Sequence, residues 1–503
     1  MSGDLLAGAG VLASSAGAVL ALLWPPGTRR SIAMLVALAL LAPLVLGDQW
    51  ESARVADLRD DPGRLSALVI IAAVAVAGLA AVFRRRPDFL PLALVAALPF
   101  RIPLHSGGGQ ANLLIPLYVV ITAAVIAAAI ESRGDGRAAP FATSELARWL
   151  PRVLAAIVAI YAVQSLYSDD FSKGLQNVCF FMVPFSILFV LLAEQRWDRT
   201  LLRGALVVVL AEASIFAAFG LGEYAVRDLL WNPEVIRSNE LHTYFRVNSL
   251  FWDPNIYGRY VTLALLALVS LLLWTRRPRL AVAGAALCLL LWLGLATTFS
   301  QSSFVALLGG LAVLAALRWS LRWTALACAG ILLAGLGGVF AGGGSLSIDL
   351  STDQKFNKDT SGRANLVSGG LELFGDRPVW GYGSGSFAAA FREQQKGGRP
   401  AALAASHAEP VTVAAEQGAI GLLAYLALLA VAFAILIRGL APRLPGISRA
   451  PPSTDAELLA RVVVLVAFAA LLLHTFAYAA FLTDPIAWAL LAIGGALMSA
   501  AAR

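Results

Sequence analysis

Apolar runs long enough to cross a bilayer recur from one end of this chain to the other, and most of the gaps between them are short and carry arginine. A helix needs roughly 20 predominantly apolar residues to span the hydrocarbon core, where no water is present to satisfy backbone N–H and C=O groups. About fifteen segments meet that criterion: residues 5–23, 31–46, 65–83, 88–104, 111–130, 150–167, 176–193, 203–221, 255–274, 279–297, 302–317, 323–341, 411–437, 460–481 and 485–502. The expected fold class is an all-α integral membrane protein, a polytopic helical bundle of about 12–15 transmembrane helices. A charged fraction of 14% excludes an ordinary soluble domain, in which about a quarter of residues are charged.

Charge placement gives the orientation. With the N-terminus outside, every short loop rich in arginine falls on the inner side: Arg29 and Arg30, Arg84 to Arg86, Arg276 to Arg279, Arg318 and Arg322 among them. That is the pattern expected when Lys and Arg are retained on the cytoplasmic face. The N-out, C-in topology leaves the longer polar segments outside, at residues 47–64, 222–254 and 342–410. The first run lacks a basic segment ahead of it and a small-residue cleavage site, so it reads as a retained span. The net charge of +7 belongs to these loops and carries no nucleic-acid inference. The organisation expected is an N-terminal bundle over 1–221, a core membrane region over 222–341, a large outer loop over 342–410 and C-terminal helices over 411–503.

Several chemistries are disfavoured by what the loops contain. No GxxxxGK[ST] sequence and no strand-GxGxxG-helix context is present, which argues against an ATP-driven pump. The halves show no evident repeat, which counts modestly against an inverted-repeat transporter. Asp57, Asp60 and Asp61, or Asp169 and Asp170, are the carboxylates that could bind Mg²⁺ or Mn²⁺, but no Asp-x-Asp occurs in these loops, and no metal or other cofactor is expected.

Three constellations remain. In YFRVNSLFWDPNIYGRY (244–260), Asp253 and Pro254 read as N-cap and first residue of a helix. Arg259 then lies about one and a half turns inside a span, where an arginine is costly unless it faces a polar cavity or an anion. Arg246, on the incoming loop, can fold back over the same helix end. Two guanidinium groups, Asn255 and an electropositive helix terminus together suit a diphosphate. Each arginine alone is equally an interfacial or loop charge. The second constellation is TTFSQSSF (297–304), a tight turn whose hydroxyls and Gln301 either bond phosphate or sugar or, through Ser302 or Ser303, cap a helix.

The third is the outer loop. SGR at 361–363 precedes an amphipathic surface helix. GYGSGSF at 381–387 is a turn with exposed backbone that either cradles phosphate or is a plain loop. Trp380 and Tyr382 offer flat faces on which sugars stack. His407 stands just before a span, with Glu409 and Glu416 nearby; an imidazole with a pKa near 6.5 accepts a hydroxyl proton at neutral pH, and a carboxylate can orient it. On spacing alone it is equally an ordinary surface histidine, and His474, inside a span, reads as packing.

Taken in order, these motifs resemble the O-antigen ligase and O-antigen polymerase superfamily of bacterial membrane glycosyltransferases. Arg246 followed by FWDPN, the TFSQSSFVALLGG helix start, SGR, GYGSGSF, and His407 with EQGAIGLLAYL carry the resemblance, over roughly residues 240–437. It implies a glycosyltransferase C-like bundle in the bacterial cytoplasmic membrane, acting on the extracytoplasmic face. It also implies metal-independent, inverting transfer of a glycan from undecaprenyl diphosphate to an acceptor hydroxyl. Arg246 would bind the diphosphate and His407 would act as base. Two departures stand out. Gln301 replaces an arginine usual in the family, so Arg259 or Arg363 would supply the second positive charge. His407 is followed by Ala408 and Glu409 where the family usually has Asn. The implied partners are a polyprenyl-diphosphate-linked glycan, a glycan, lipid or other hydroxyl acceptor, and membrane lipids. A polymerase joining lipid-linked repeats, and a flippase that moves the lipid-linked glycan without making a bond, are the alternatives.

Overall fold

Eleven helices among the described residues are long and apolar enough to cross a membrane, and two shorter apolar helices accompany them, Ile115–Glu131 and Pro485–Ala501. The structure is a computed structural model and describes residues 2–106, 109–131, 141, 144–241, 243–275, 277–330, 363–394, 406, 408–438, 440 and 456–501. One apolar core runs from Val11 to Leu497. It is helical almost throughout; a two-stranded antiparallel hairpin, Ile102–Ser106 against Gly109–Leu113, interrupts it. This agrees with the polytopic helical class.

The helices begin where the sequence supplies caps. Side-chain oxygens of Asp61, Ser144, Asp170, Asp198, Asp253 and Ser300 accept from backbone N–H groups in the first turns of the helices they precede. Such a cap is worth about 1 kcal/mol. Phe171–Asn177, a π-turn at Val178–Met182 and Val183–Ala193 form one continuous rod. Pro184 accounts for the irregular turn: it has no N–H to offer the Phe180 carbonyl four residues back. That carbonyl instead accepts from the Tyr118 hydroxyl at 2.9 Å. Every residue of Val183–Ala193 is buried, whereas Pro62–Arg85 turns most of its apolar surface outward.

One expected span is not a spanning helix. Within 88–104 the helix covers only Phe89–Ala97, about 13 Å at 1.5 Å per residue. Pro99 explains the stop: it has no N–H to offer the Val95 carbonyl, which takes the Leu98 N–H instead. The chain continues through Arg101 into the hairpin. Of the expected span 323–341, helix is seen through residue 330 and the remainder lies outside the described residues.

The described part of the 342–410 segment has its own small core. Arg363–Asp376 is helical, as the amphipathic pattern implies, and buries Leu366 and Leu373 with Phe387, Ala390, Phe391 and Ala415. Phe387 and Phe391 stack at 5.7 Å on the short helix Phe387–Gln394.

Candidate functional site

Several helix ends meet at one end of the bundle: the N-termini of Pro254–Trp274, Gln301–Arg318, Glu409–Arg438 and Pro485–Ala501, and the C-terminus of Ala456–Thr475. Polar side chains tie them together. Helix N-termini present free N–H groups and partial positive charge, so their convergence suits an anion.

Arg246 folds back onto the start of Pro254–Trp274. Its Nε donates to the Thr298 carbonyl at 2.9 Å and its Nη2 to Asn255 Oδ1 at 3.4 Å. Its backbone is held by Asn239, whose amide accepts from Arg246 N and donates to Arg246 O, both at 2.9 Å. The guanidinium is half-buried, and among the described residues it forms no ion pair. Asn255 Oδ1 also accepts from Ser300 Oγ at 2.8 Å. Asp253 caps as the sequence suggests, accepting from Asn255 N at 2.6 Å, and its other oxygen accepts from the Tyr478 hydroxyl at 2.8 Å. Burial, then the Asp253 carboxylate, hold that hydroxyl above its ordinary range, so it stays a donor.

Arg259 points elsewhere. It is 1% exposed, and its Nη2 lies 2.6 Å from Asp484 Oδ2; Arg101 approaches the same oxygen at 3.9 Å. The pairing is by charge, because neither terminal nitrogen of Arg259 makes a well-directed hydrogen bond. Glu409 lies close by, and its carboxylate accepts from the backbone N–H groups of Ala480 at 2.8 Å and Leu482 at 3.4 Å. It thereby fixes the strand of chain that delivers Asp484.

The turn 381–387 spends its backbone on protein. Gly385 N and Phe387 N donate to the Glu416 carboxylate, at 2.9 and 3.2 Å, and Gly383 N donates to the Glu416 carbonyl at 2.8 Å. Of the two readings left open, the plain docked loop is the one seen. The approach is close enough to require glycine on both sides. A Cβ on Gly381 (φ 67°) would sit on the Glu416 carbonyl, and one on Gly418 (φ 64°) on the Val379 carbonyl.

The remaining expected residues are dispersed. Gln301 is exposed in the first turn of its helix, and Ser300 caps that helix; Ser302 and Ser303 instead face inward. Trp380 is 59% exposed, with its carbonyl held by the Tyr167 hydroxyl at 2.8 Å. The Tyr382 ring is half-buried and carries the Arg377 guanidinium over its face at 4.1 Å. Arg363 opens its helix, with its side chain outside the described residues, as is His407 altogether.

Four residues of the cluster carried no signal of their own in the sequence: Arg101, His474, Tyr478 and Asp484. His474 is fully buried, and its Nε2 lies 3.1 Å from Ser302 Oγ and 3.3 Å from Ser303 Oγ. Its position near a helix end and the run of serines are each common; only their meeting across 172 residues is informative.

An apolar groove of about 470 Å³ runs down the bundle from this end. Leu98, Tyr260 and Ile486, near neighbours in sequence of Arg101, Arg259 and Asp484, line its upper part. Leu271 and Trp274 line the far part, and Arg199, Arg203 and Arg277 also contribute to its wall. From Tyr260 to Trp274 the helix covers about 21 Å.

A family model described as O-antigen ligase matches residues 286–426, less than a third of the chain. The match takes in the 297–304 turn, the described loop helices and the start of Glu409–Arg438, and stops short of Arg246, Arg259 and Asp484 on either side. No curated protein matches the chain.

Proposed function

We propose, from the premise that residues 286–426 form an O-antigen ligase family region, that this membrane protein transfers a glycan from a polyprenyl diphosphate to an acceptor hydroxyl on the extracytoplasmic face. The observation that carries the reading is Arg246. It is a fixed, half-buried guanidinium at a convergence of helix N-termini, bonded to neutral oxygens and to no carboxylate among the described residues. That is how a site prepared for an anion differs from an ion pair already closed. The groove supports the lipid half of the substrate, since its wall is mostly apolar along about 21 Å of the Pro254–Trp274 helix.

In this reading the diphosphate lies against Arg246, with Asn255 and Ser300 fixing the guanidinium. Arg259 and Arg101 share the Asp484 carboxylate behind it, with Glu409 close by. The polyprenyl chain follows the groove. His407 takes the proton of the acceptor hydroxyl as its oxygen attacks the anomeric carbon from the face opposite the diphosphate. The carbon–oxygen bond to phosphate breaks, the diphosphate leaves with the lipid, and the anomeric configuration inverts. Arginines stabilise the leaving charge, so no metal is required. Glu409, engaged by the Ala480 and Leu482 N–H groups, holds the site's wall. In this reading Trp380, exposed beside the docked turn, meets the glycan.

The test is transfer by the purified protein in detergent, given a polyprenyl-diphosphate-linked glycan and an acceptor. A new glycosidic bond with inverted configuration and free polyprenyl diphosphate are expected, undiminished by a metal chelator. Movement of the intact donor across liposomes with no new bond would replace this reading with a flippase.

A further inference from the structure

His474 sits four hydrogen bonds away from Arg246, along a path that crosses three helices. Its Nε2 is within bonding distance of Ser302 Oγ and Ser303 Oγ; both hydroxyls meet Ser300 Oγ, at 3.1 and 2.9 Å. Ser300 Oγ donates to Asn255 Oδ1 at 2.8 Å, and that oxygen accepts from Arg246 Nη2. Ser300 and Ser303 are wholly buried, and Ser302 nearly so. A second path reaches the same helix end: the His474 ring lies edge-on to Tyr478, 5.8 Å between centroids, and Tyr478 bonds the cap residue Asp253.

The packing is tight around Ser303. A Cβ on Gly258 would lie 2.6 Å from Ser303 Oγ, and Thr262 Oγ1 donates to the Ser303 carbonyl at 3.3 Å. The Pro254–Trp274 and Gln301–Arg318 helices are therefore pressed together at this level. A buried hydroxyl there must be bonded, and a network with every member satisfied has one geometry.

We infer that His474 is a positioning residue for Arg246, which sets the orientation of the anion-binding guanidinium through the Ser302/Ser303–Ser300–Asn255 chain. The inference rests on the reading of Arg246 as a diphosphate ligand. An imidazole serves where a smaller amide or hydroxyl on the same helix would not reach both serines. It accepts from or donates to them while its ring packs on Tyr478. Removing it takes one partner from each of two buried hydroxyls and leaves them Ser300 Oγ alone, so the Ser300 hydroxyl that orients Asn255 Oδ1 loses its fixed direction. The guanidinium then keeps its Thr298 bond and loses its second anchor.

The experiment is a double-mutant cycle in detergent, read as affinity for polyprenyl diphosphate without a glycan. His474→Ala is expected to weaken binding about tenfold, the size of one or two lost hydrogen bonds to a charged group. In an Arg246→Ala background the same change should cost less than about twofold, because the group it orients is gone. His474→Gln, which carries a donor and an acceptor near the Nε2 position, is expected to recover most of the affinity. Ser302→Ala, a smaller perturbation of the same chain, should show a weaker loss with the same dependence on Arg246.

An equal loss from His474→Ala in both backgrounds would mean that the histidine merely holds helices together, and the inference would fall. A second readout separates this from failure of the diphosphate reading. Unfolding midpoints of the four proteins report coupling between His474 and Arg246 with no ligand present. If the native protein does not bind polyprenyl diphosphate yet the midpoints are non-additive, Arg246 has another ligand and the positioning stands. Additive midpoints together with additive affinities overturn it.

Discussion

Arg259 Nη2 and Asp484 Oδ2 lie 2.6 Å apart inside the bundle, with both side chains almost completely removed from solvent. This ion pair joins a helix in the middle of the chain to the last one, and Arg101 adds a second positive charge from the broken helix near the N-terminus. Breaking one partner of such a pair costs about 3–5 kcal/mol, because the other is left charged in a poor solvent. Asp484→Asn is expected to lower the unfolding midpoint sharply, and Arg259→Met with Asp484→Leu to recover much of the loss. Thermal unfolding in detergent measures both. A midpoint unchanged by Asp484→Asn would show that the charges are hydrated and the pair carries little.

The turn at 381–387 docks through Gly381 and Gly418, where two backbones approach too closely for any side chain. Gly418→Ala should undock the loop at a cost of more than about 1 kcal/mol, since it combines a positive φ with a carbonyl in the way. Limited proteolysis of the loop, compared with that of the native protein, reads the change directly. Cleavage at the native rate would place the docking energy elsewhere.

Glu416 is expected to matter for the same docking and not for proton transfer. Its carboxylate accepts from Gly385 N and Phe387 N. Glu416→Gln retains one acceptor and should lose part of the transfer rate, while Glu416→Ala strands two buried N–H groups and should lose most of it. Equal rates for the two variants would argue that the bond the glutamine retains contributes nothing.

His407→Ala is expected to abolish transfer while leaving polyprenyl-diphosphate affinity within about twofold, because general-base removal typically costs 10²–10⁴ in rate and nothing in ground-state binding. Single-turnover transfer and equilibrium binding on one preparation check the split. A variant that still transfers at the native rate would remove His407 from the mechanism.

The membrane frame was readable in the chain because its signal is local: a long apolar run declares itself, and Asp253–Pro254 announces a helix start wherever it stands. The error at 88–104 had the same local origin. Average hydropathy passed over Pro99, and with it the turn that brings Arg101 to Asp484. That Arg246 folds back over the start of the Pro254–Trp274 helix was legible from its distance to Asp253 and Pro254. Arg259 was rightly singled out as an intramembrane charge, but its partner is 225 residues away and no spacing rule reaches it. His474 read as packing for the same reason. A histidine among leucines is unremarkable until Ser302 and Ser303 are seen opposite it.

The account's central claim is that Arg246 recognises the diphosphate and the groove recognises the lipid, and the most direct measurement compares affinities for polyprenyl diphosphate and for the corresponding polyprenol. The native protein should prefer the diphosphate strongly. Arg246→Ala should lose most of that preference while binding polyprenol as before. An Arg246→Ala protein that keeps the full preference for the diphosphate would contradict the account.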